Sequence, residues 1–205
     1  MKQGIGKEAR IMSKSEPVKR TGSETKAEAQ RVALALFTSK GFEATSLREI
    51  AEQLGISKAA LYYHFKSKDD IVKSMVSARG HEATELLAWA RSQEPGPELL
   101  EQTILRWVES TSVDKLRGIR FMIANPATMR NMKSDSREIT SGLEGLAQFV
   151  AGEHADANRQ LLVRMAFLSI NAAVMAASGT QRTDEEIVAA AREMSIALIR
   201  VLRES

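Results

Sequence analysis

TSLREIAEQLGISKAALYYHFKSK, residues 45–68, decides how this chain is read. Ser46 and Glu49 stand three apart, so the serine oxygen can accept a first-turn amide while the glutamate reaches back to the cap, the reciprocal pattern of a capping box. Leu47, Ile50, Ala51 and Leu54 follow at helical spacing and make one apolar face. Gly55 ends that helix, because glycine enters the left-handed region without a Cβ clash. Ser57 is placed to cap a second helix, whose inner face belongs to Leu61 and Phe65, four residues apart. Tyr62 and Tyr63 cannot both join so short an inner face, and at least one turns outward near Lys58. A helix of this size fits the major groove of DNA, where side chains meet base edges and thymine methyls. The small Ala59 and Ala60 let its backbone approach closely.

Ala29, Val32, Ala33, Leu36 and Phe37 supply a preceding amphipathic helix that stops at Gly41. Three such helices close a miniature core of the helix-turn-helix kind, with the third as reader. The run at 33–72, ALALFTSKGFEATSLREIAEQLGISKAALYYHFKSKDDIV, strongly resembles the DNA-binding domain of the TetR family of transcriptional regulators. Phe37, Gly41, Phe42, Thr45, Ser46, Ile50, Ala51, Gly55, Ser57, the run from Leu61 through Tyr62, Tyr63 and His64 to Phe65, and Lys68 carry the likeness by their combined spacing.

Beyond that head the likeness is one of length and helical layout. It implies an all-α fold, with a three-helix DNA-binding head at 25–68 and a larger helical ligand-binding and dimerisation body at 69–205. It also implies a homodimer on double-stranded DNA with a near-palindromic operator. Carried over by position, Lys58, Ala59, Ala60, Tyr62 and Tyr63 would face bases or the adjoining backbone, and Thr45, Ser46, His64 and Lys68 would hold phosphates. Ala60 departs from the polar residue common at its position, which puts a polar contact there in question. Tyr62 has a competing reading as half-buried core, His64 as a surface histidine, and Thr45 and Ser46 as caps alone.

Charge agrees with this polarity. Residues 1–70 carry 13 Lys and Arg against 9 Asp and Glu, and residues 71–205 carry 16 against 17. Much of the excess lies in residues 1–24, which have few apolar residues and no period and read as a disordered basic arm. The 205-residue chain has no cysteine, which excludes disulfides and agrees with a reducing compartment. No apolar run has the length of a signal segment or a membrane span, so a soluble, cytoplasmic protein is expected. His64, His81 and His154 lack metal-ligand spacing, and no strand precedes the glycines at 142 and 145 as a phosphate loop requires. Neither an enzyme nor a cofactor or metal is expected.

Helical patterning continues through the body. Asp69 and Asp70 open a connecting helix that runs past Trp89 toward Pro95, and further helices are expected near 98–111, 113–124, 131–151, 157–178 and 184–203. The segment 161–177, LLVRMAFLSINAAVMAA, is apolar on more than one side and therefore needs two partners, one of them outside the protomer. Leu161, Met165, Leu168, Ala172 and Met175 on it, with Ala191, Met194, Leu198 and Leu202 on the last helix, are the candidate dimer residues. Trp89, Leu105, Val108, Met122, Leu146, Phe149, Met165 and Phe167 are the candidate walls of an apolar ligand pocket. The chain thus reads as a repressor released from its operator by a small apolar or amphipathic molecule. The alternative is a DNA-binding adaptor or architectural protein without an inducer.

Overall fold

A computed structural model describes residues 21–131 and 133–204. The described residues form α1 Gly22–Lys40, α2 Leu47–Leu54, α3 Lys58–His64, α4 Lys68–Arg91, α5 Pro97–Glu109 and α6 Val113–Ala124, then α7 Pro126–Asn131, α8 Lys133–Ala151, α9 Ala157–Phe167, α10 Ser169–Ala176 and α11 Asp184–Glu204. Residues 1–20 of the expected arm lie outside the described residues, and from Thr21 onward the chain is already the cap of α1. Local chemistry sets the helix starts. Thr21 with Glu24, Ser46 with Glu49 and Ser67 with Asp70 form complete capping boxes, and Ser57, Ser112 and Asp156 cap their helices singly. Among the described residues no helix is long and apolar enough to cross a membrane.

Two apolar cores organise the molecule. The head core joins Ala33 and Phe37 of α1, Ile50 of α2, and Leu61 and Phe65 of α3, as the spacing requires. It does not stop at residue 68. Ile71, Val72 and Val76 of α4 belong to it, and so does Phe121 of α6, a body residue that completes it. The second core gathers α5, α6 and α8–α11 around Trp107, Leu146, Val163 and Phe167. Arg159 ties two helix ends in this body, donating to the Ala151 carbonyl at 3.0 Å and the Leu202 carbonyl at 2.7 Å.

The expected helix at 157–178 is divided at Leu168. Its two neighbouring carbonyls are claimed from outside: the Trp107 indole N–H donates to Phe167 at 3.1 Å, and the Ser195 hydroxyl donates to Ala166 at 3.1 Å. Side chains that enter the backbone ladder in this way bend or break a helix. Between the expected helices near 113–124 and 131–151, Pro126 starts the short α7.

α4 and α8 pack closely along their length. A Cβ on Gly142 would lie 2.9 Å from the Cβ of Ala83 and 3.4 Å from the Gly80 carbonyl oxygen, atoms fixed to the α4 backbone. Alanine would add about 1 kcal/mol of helix preference, whereas overpacking costs about 1–3 kcal/mol. Gly142→Ala should therefore lower the unfolding free energy on balance, by up to about 2 kcal/mol in chemical denaturation. A stabilised variant would mean that the two helices are not held this close.

Candidate nucleic-acid interface

The turn between α2 and α3 is built by Gly55 at φ 71° and ψ 28°, in the left-handed region. Its N–H donates to Glu52 at 3.1 Å while the Ile56 N–H donates to Ala51 at 3.0 Å, the paired closure of a Schellman motif. Ile56 then packs against the head core. The Ala60 N–H donates to the Ser57 hydroxyl at 3.1 Å and starts α3. Leu61 and Phe65 are fully buried, so the rotation of this two-turn helix is fixed by its base.

What remains of α3 faces outward. Tyr63 is 82 % exposed, Tyr62 is 36 % exposed, and Lys58, Ala59 and Ala60 are exposed beside them. Lys58 Nζ lies 5.2 Å from the Tyr62 ring centroid, and the Tyr63 and His64 rings meet edge to face at 5.2 Å. Such a surface offers cations to phosphates and aromatic edges to bases. Lys66 donates to the Tyr62 carbonyl at 2.8 Å and so caps the end of α3. The start of α1 also borders this face: a Cβ on Gly22 would lie 3.7 Å from His64 Cε1, and Lys26 Nζ is 6.0 Å from the Phe65 ring. Sequence reasoning missed Lys26 because only tertiary packing brings α1 beside α3.

Two residues expected at phosphates are employed otherwise. Thr45 is buried, and its hydroxyl donates to the Gly41 carbonyl at 2.9 Å, closing the loop before α2. Lys68 donates to the Phe42 and Glu43 carbonyls at 2.6 and 3.2 Å and lies 4.7 Å from the Phe42 ring, so its ammonium holds the same loop. Ser46 remains exposed while it accepts from the Glu49 N–H at 3.2 Å. The Glu49 carboxyl is held down to about 2 by the Lys40 ammonium at 2.8 Å and by the Ser46 N–H and hydroxyl.

The pocket and dimer residues also divide. Val108, Leu146 and Phe167 are sealed in the body core, with Leu105 packed against it, whereas Phe149 and Met165 point outward and Trp89 is covered by Arg106 at 4.0 Å. These residues therefore do not share one cavity. A cleft of about 230 Å³ lies elsewhere, between α1, α4 and α6, and of the expected walls it includes Met122 alone. Leu161, Met165, Leu168, Ala172 and Met175 form an exposed apolar row on α9 and α10. Ala191 and Leu202 do not join it, since both are closed inside the protomer, while Met194 and Leu198 are half-buried. The outward apolar row of α11 is instead Ala190, Ala197 and Val201, legible in their spacing of seven and four.

Comparison with known proteins points the same way. Residues 31–75 match the family model described as bacterial regulatory proteins, tetR family. The chain is 33% identical over 103 residues to the HTH-type transcriptional regulator AcrR of Shigella flexneri, covering 49% of this chain and 48% of that protein. It is 32% identical over 113 residues to the HTH-type transcriptional repressor BepR of Brucella suis, covering 53% and 54%. The chain thus spans about half the length of the curated relatives it matches. Beyond the matched stretch the fold itself agrees: Mycobacterium smegmatis AmtR superposes with a TM-score of 0.60 over 92% of this chain and 88% of its own, at 21% identity.

Glu49 gives the head a defined response to acid. Its carboxyl lies below its unfolded value, so its stabilisation is present above about pH 4.5 and is lost as pH falls through about 2. In denaturant titrations Glu49→Gln should be less stable than wild type at pH 7, with the gap closing as the pH is lowered from 4.5. A gap of constant size would remove the charged cap from the account.

On the outward face, Tyr63→Ala and Lys58→Ala should leave helical content unchanged and weaken binding to a selected DNA site by roughly 1–3 kcal/mol each. Lys68→Ala should instead lower the melting temperature of the head, because it releases the loop carbonyls. Paired DNA titrations and thermal melts separate the two behaviours.

Proposed function

We propose that this chain, which belongs to the TetR family of transcriptional regulators, is a sequence-specific DNA-binding repressor that acts as a homodimer in the cytoplasm and releases its operator on binding a small molecule. The observation that carries the reading is the outward face of α3, where Tyr63 and Lys58 project from a helix whose buried side is locked by Leu61 and Phe65. A short, rigidly seated helix with exposed donors suits the major groove. Repression draws support from BepR, which is named a repressor.

Dimerisation draws support from the apolar row at Leu161, Met165, Leu168 and Met175, which the described residues of the protomer leave exposed. Together with Val201 on α11 it offers the two-helix half of a four-helix interface. Two heads joined in this way would meet successive major-groove faces about 34–36 Å apart. A ligand that favours another head spacing then shifts the population away from DNA by its differential affinity. One observation favours the adaptor alternative: Val108, Leu146 and Phe167 fill the body interior where a ligand was expected.

Selection from a random DNA pool should yield a near-palindromic sequence that wild type prefers over a scrambled duplex; equal affinity for the two would sink the repressor reading. Sedimentation at micromolar concentration should give about twice the 22.6 kDa chain mass. Leu168→Glu and Met175→Glu, at positions exposed in the protomer, should yield folded monomers with weakened operator binding. Retention of the dimer by both variants would place the interface elsewhere.

A further inference from the structure

The cleft between α1, α4 and α6 has three properties that bear on what it could hold. Its volume is about 230 Å³, and its floor is Leu34, Val72, Met75 and Ile119. An apolar cavity of about 150 Å³ takes benzene, so this one has room for a molecule about half as large again, of fused-bicyclic size.

The charges at its rim are already matched. Arg31 pairs with Glu28, Arg79 and Lys115 both bind Glu82 at 2.8 Å, and Asp114 lies 3.6 Å from Arg117. Arg79 and Lys115 share one carboxylate, so the rim carries a formal charge of +1, but every one of these groups is already paired, and burying an ionic ligand against them would be unfavourable. Gln30 adds a polar point. The Ser74 hydroxyl donates to the Ile71 carbonyl at 2.7 Å, so the Gln30 group 2.7 Å from Ser74 Oγ is the donating amide nitrogen. The amide oxygen is then the acceptor on a side chain that lines the cleft.

The third property is Gly118, a buried residue in the interior of α6. Glycine is the poorest helix former after proline. Nothing in the backbone requires it here, since Gly118 is not among the glycines with positive φ. Nor does any close approach, since a Cβ would meet no atom within 4 Å beyond its own helix and chain neighbours. Gly142 is a glycine that packing demands; Gly118 is one that leaves space.

We infer that this cleft is a binding site for a neutral, chiefly apolar molecule of fused-bicyclic size carrying one hydroxyl or N–H donor. It deepens the ligand-responsive reading above and rests on that reading only for its consequence at DNA. The cleft spans the head–body joint, because α1 belongs to the head and Phe121, another of its lining residues, is the body residue seated in the head core.

The test uses the full chain, with 2-naphthol and indole as neutral probes and naphthalene-2-sulfonate as the charged comparison, titrated by calorimetry. Gly118→Leu fills the cleft from α6 and Ala78→Phe fills it from α4, where Ala78 is exposed. Wild type should bind at least one neutral probe saturably at one site per chain and more tightly than the sulfonate, and each folded filled variant should lose about tenfold or more in affinity. Circular dichroism establishes which variants are folded, and either one decides the matter. Full affinity in a folded filled variant, no saturable binding of either neutral probe, or preference for the sulfonate would overturn the assignment. DNA selection tests the regulator reading separately. A chain that selects no DNA yet binds 2-naphthol in the cleft fails that reading and keeps this site, and a DNA-selecting chain that ignores both neutral probes does the reverse.

Discussion

Phe121 belongs by sequence to the body and by packing to the head. Its ring lies 5.4 Å from Phe37 and 5.7 Å from Phe42, which themselves meet edge to face at 4.9 Å. Burying a ring of this size contributes about 1.5–3 kcal/mol, and aromatic pairing adds about 0.5–1.5 kcal/mol. A three-helix head of this length has a small core, so a contribution of that order is a large share of its cohesion. The head core is thus completed by residues of α4 and α6. Displacing α6 would disturb the same ring cluster that Lys68 and the loop carbonyls hold from the other side.

The joint is reinforced below by Arg79. Its guanidinium lies 3.4 Å from the Trp107 ring centroid, pairs with Glu82, and reaches the Ser110 and Thr111 hydroxyls in the turn between α5 and α6. Burial pulls its pKa down while the Glu82 carboxylate opposes the fall. Removing one partner of such a group would leave a buried charge without compensation, so the cluster fixes the approach of α4 to α6 more firmly than an exposed ion pair could. Above it the cleft opens and the contact between α1 and the body is incomplete. The anchored Arg79 cluster and the open cleft thus meet at the same joint between head and body.

The outer row on α9 and α10 has a different character. Leu161, Met165, Leu168 and Met175 lie on the side away from Val163, Ala166, Phe167 and Val174, which enter the body core. The break at Leu168 lets two short helices present these residues without one straight rod having to serve both faces. Side-chain donors from α5 and α11 set that break, so the body core shapes the proposed dimer surface from behind.

The starts of α2 and α3, the Gly55 turn, the rotation of α3 and the exposure of Tyr63 were legible in the sequence, because each follows from contacts within a few residues: a cap, a left-handed glycine, an apolar pair four apart. The two-sided apolar character of 161–177 was legible for the same reason. Periodicity shows that a face is buried and does not say by what. Only the tertiary structure assigned Phe121 to the head, turned Thr45 and Lys68 onto loop carbonyls, and closed Ala191, Leu202 and Phe167 into the core. It also set the cleft between α1, α4 and α6 instead of inside the body, since a cavity is the volume left where helices distant in sequence fail to meet, and no single helix carries that information.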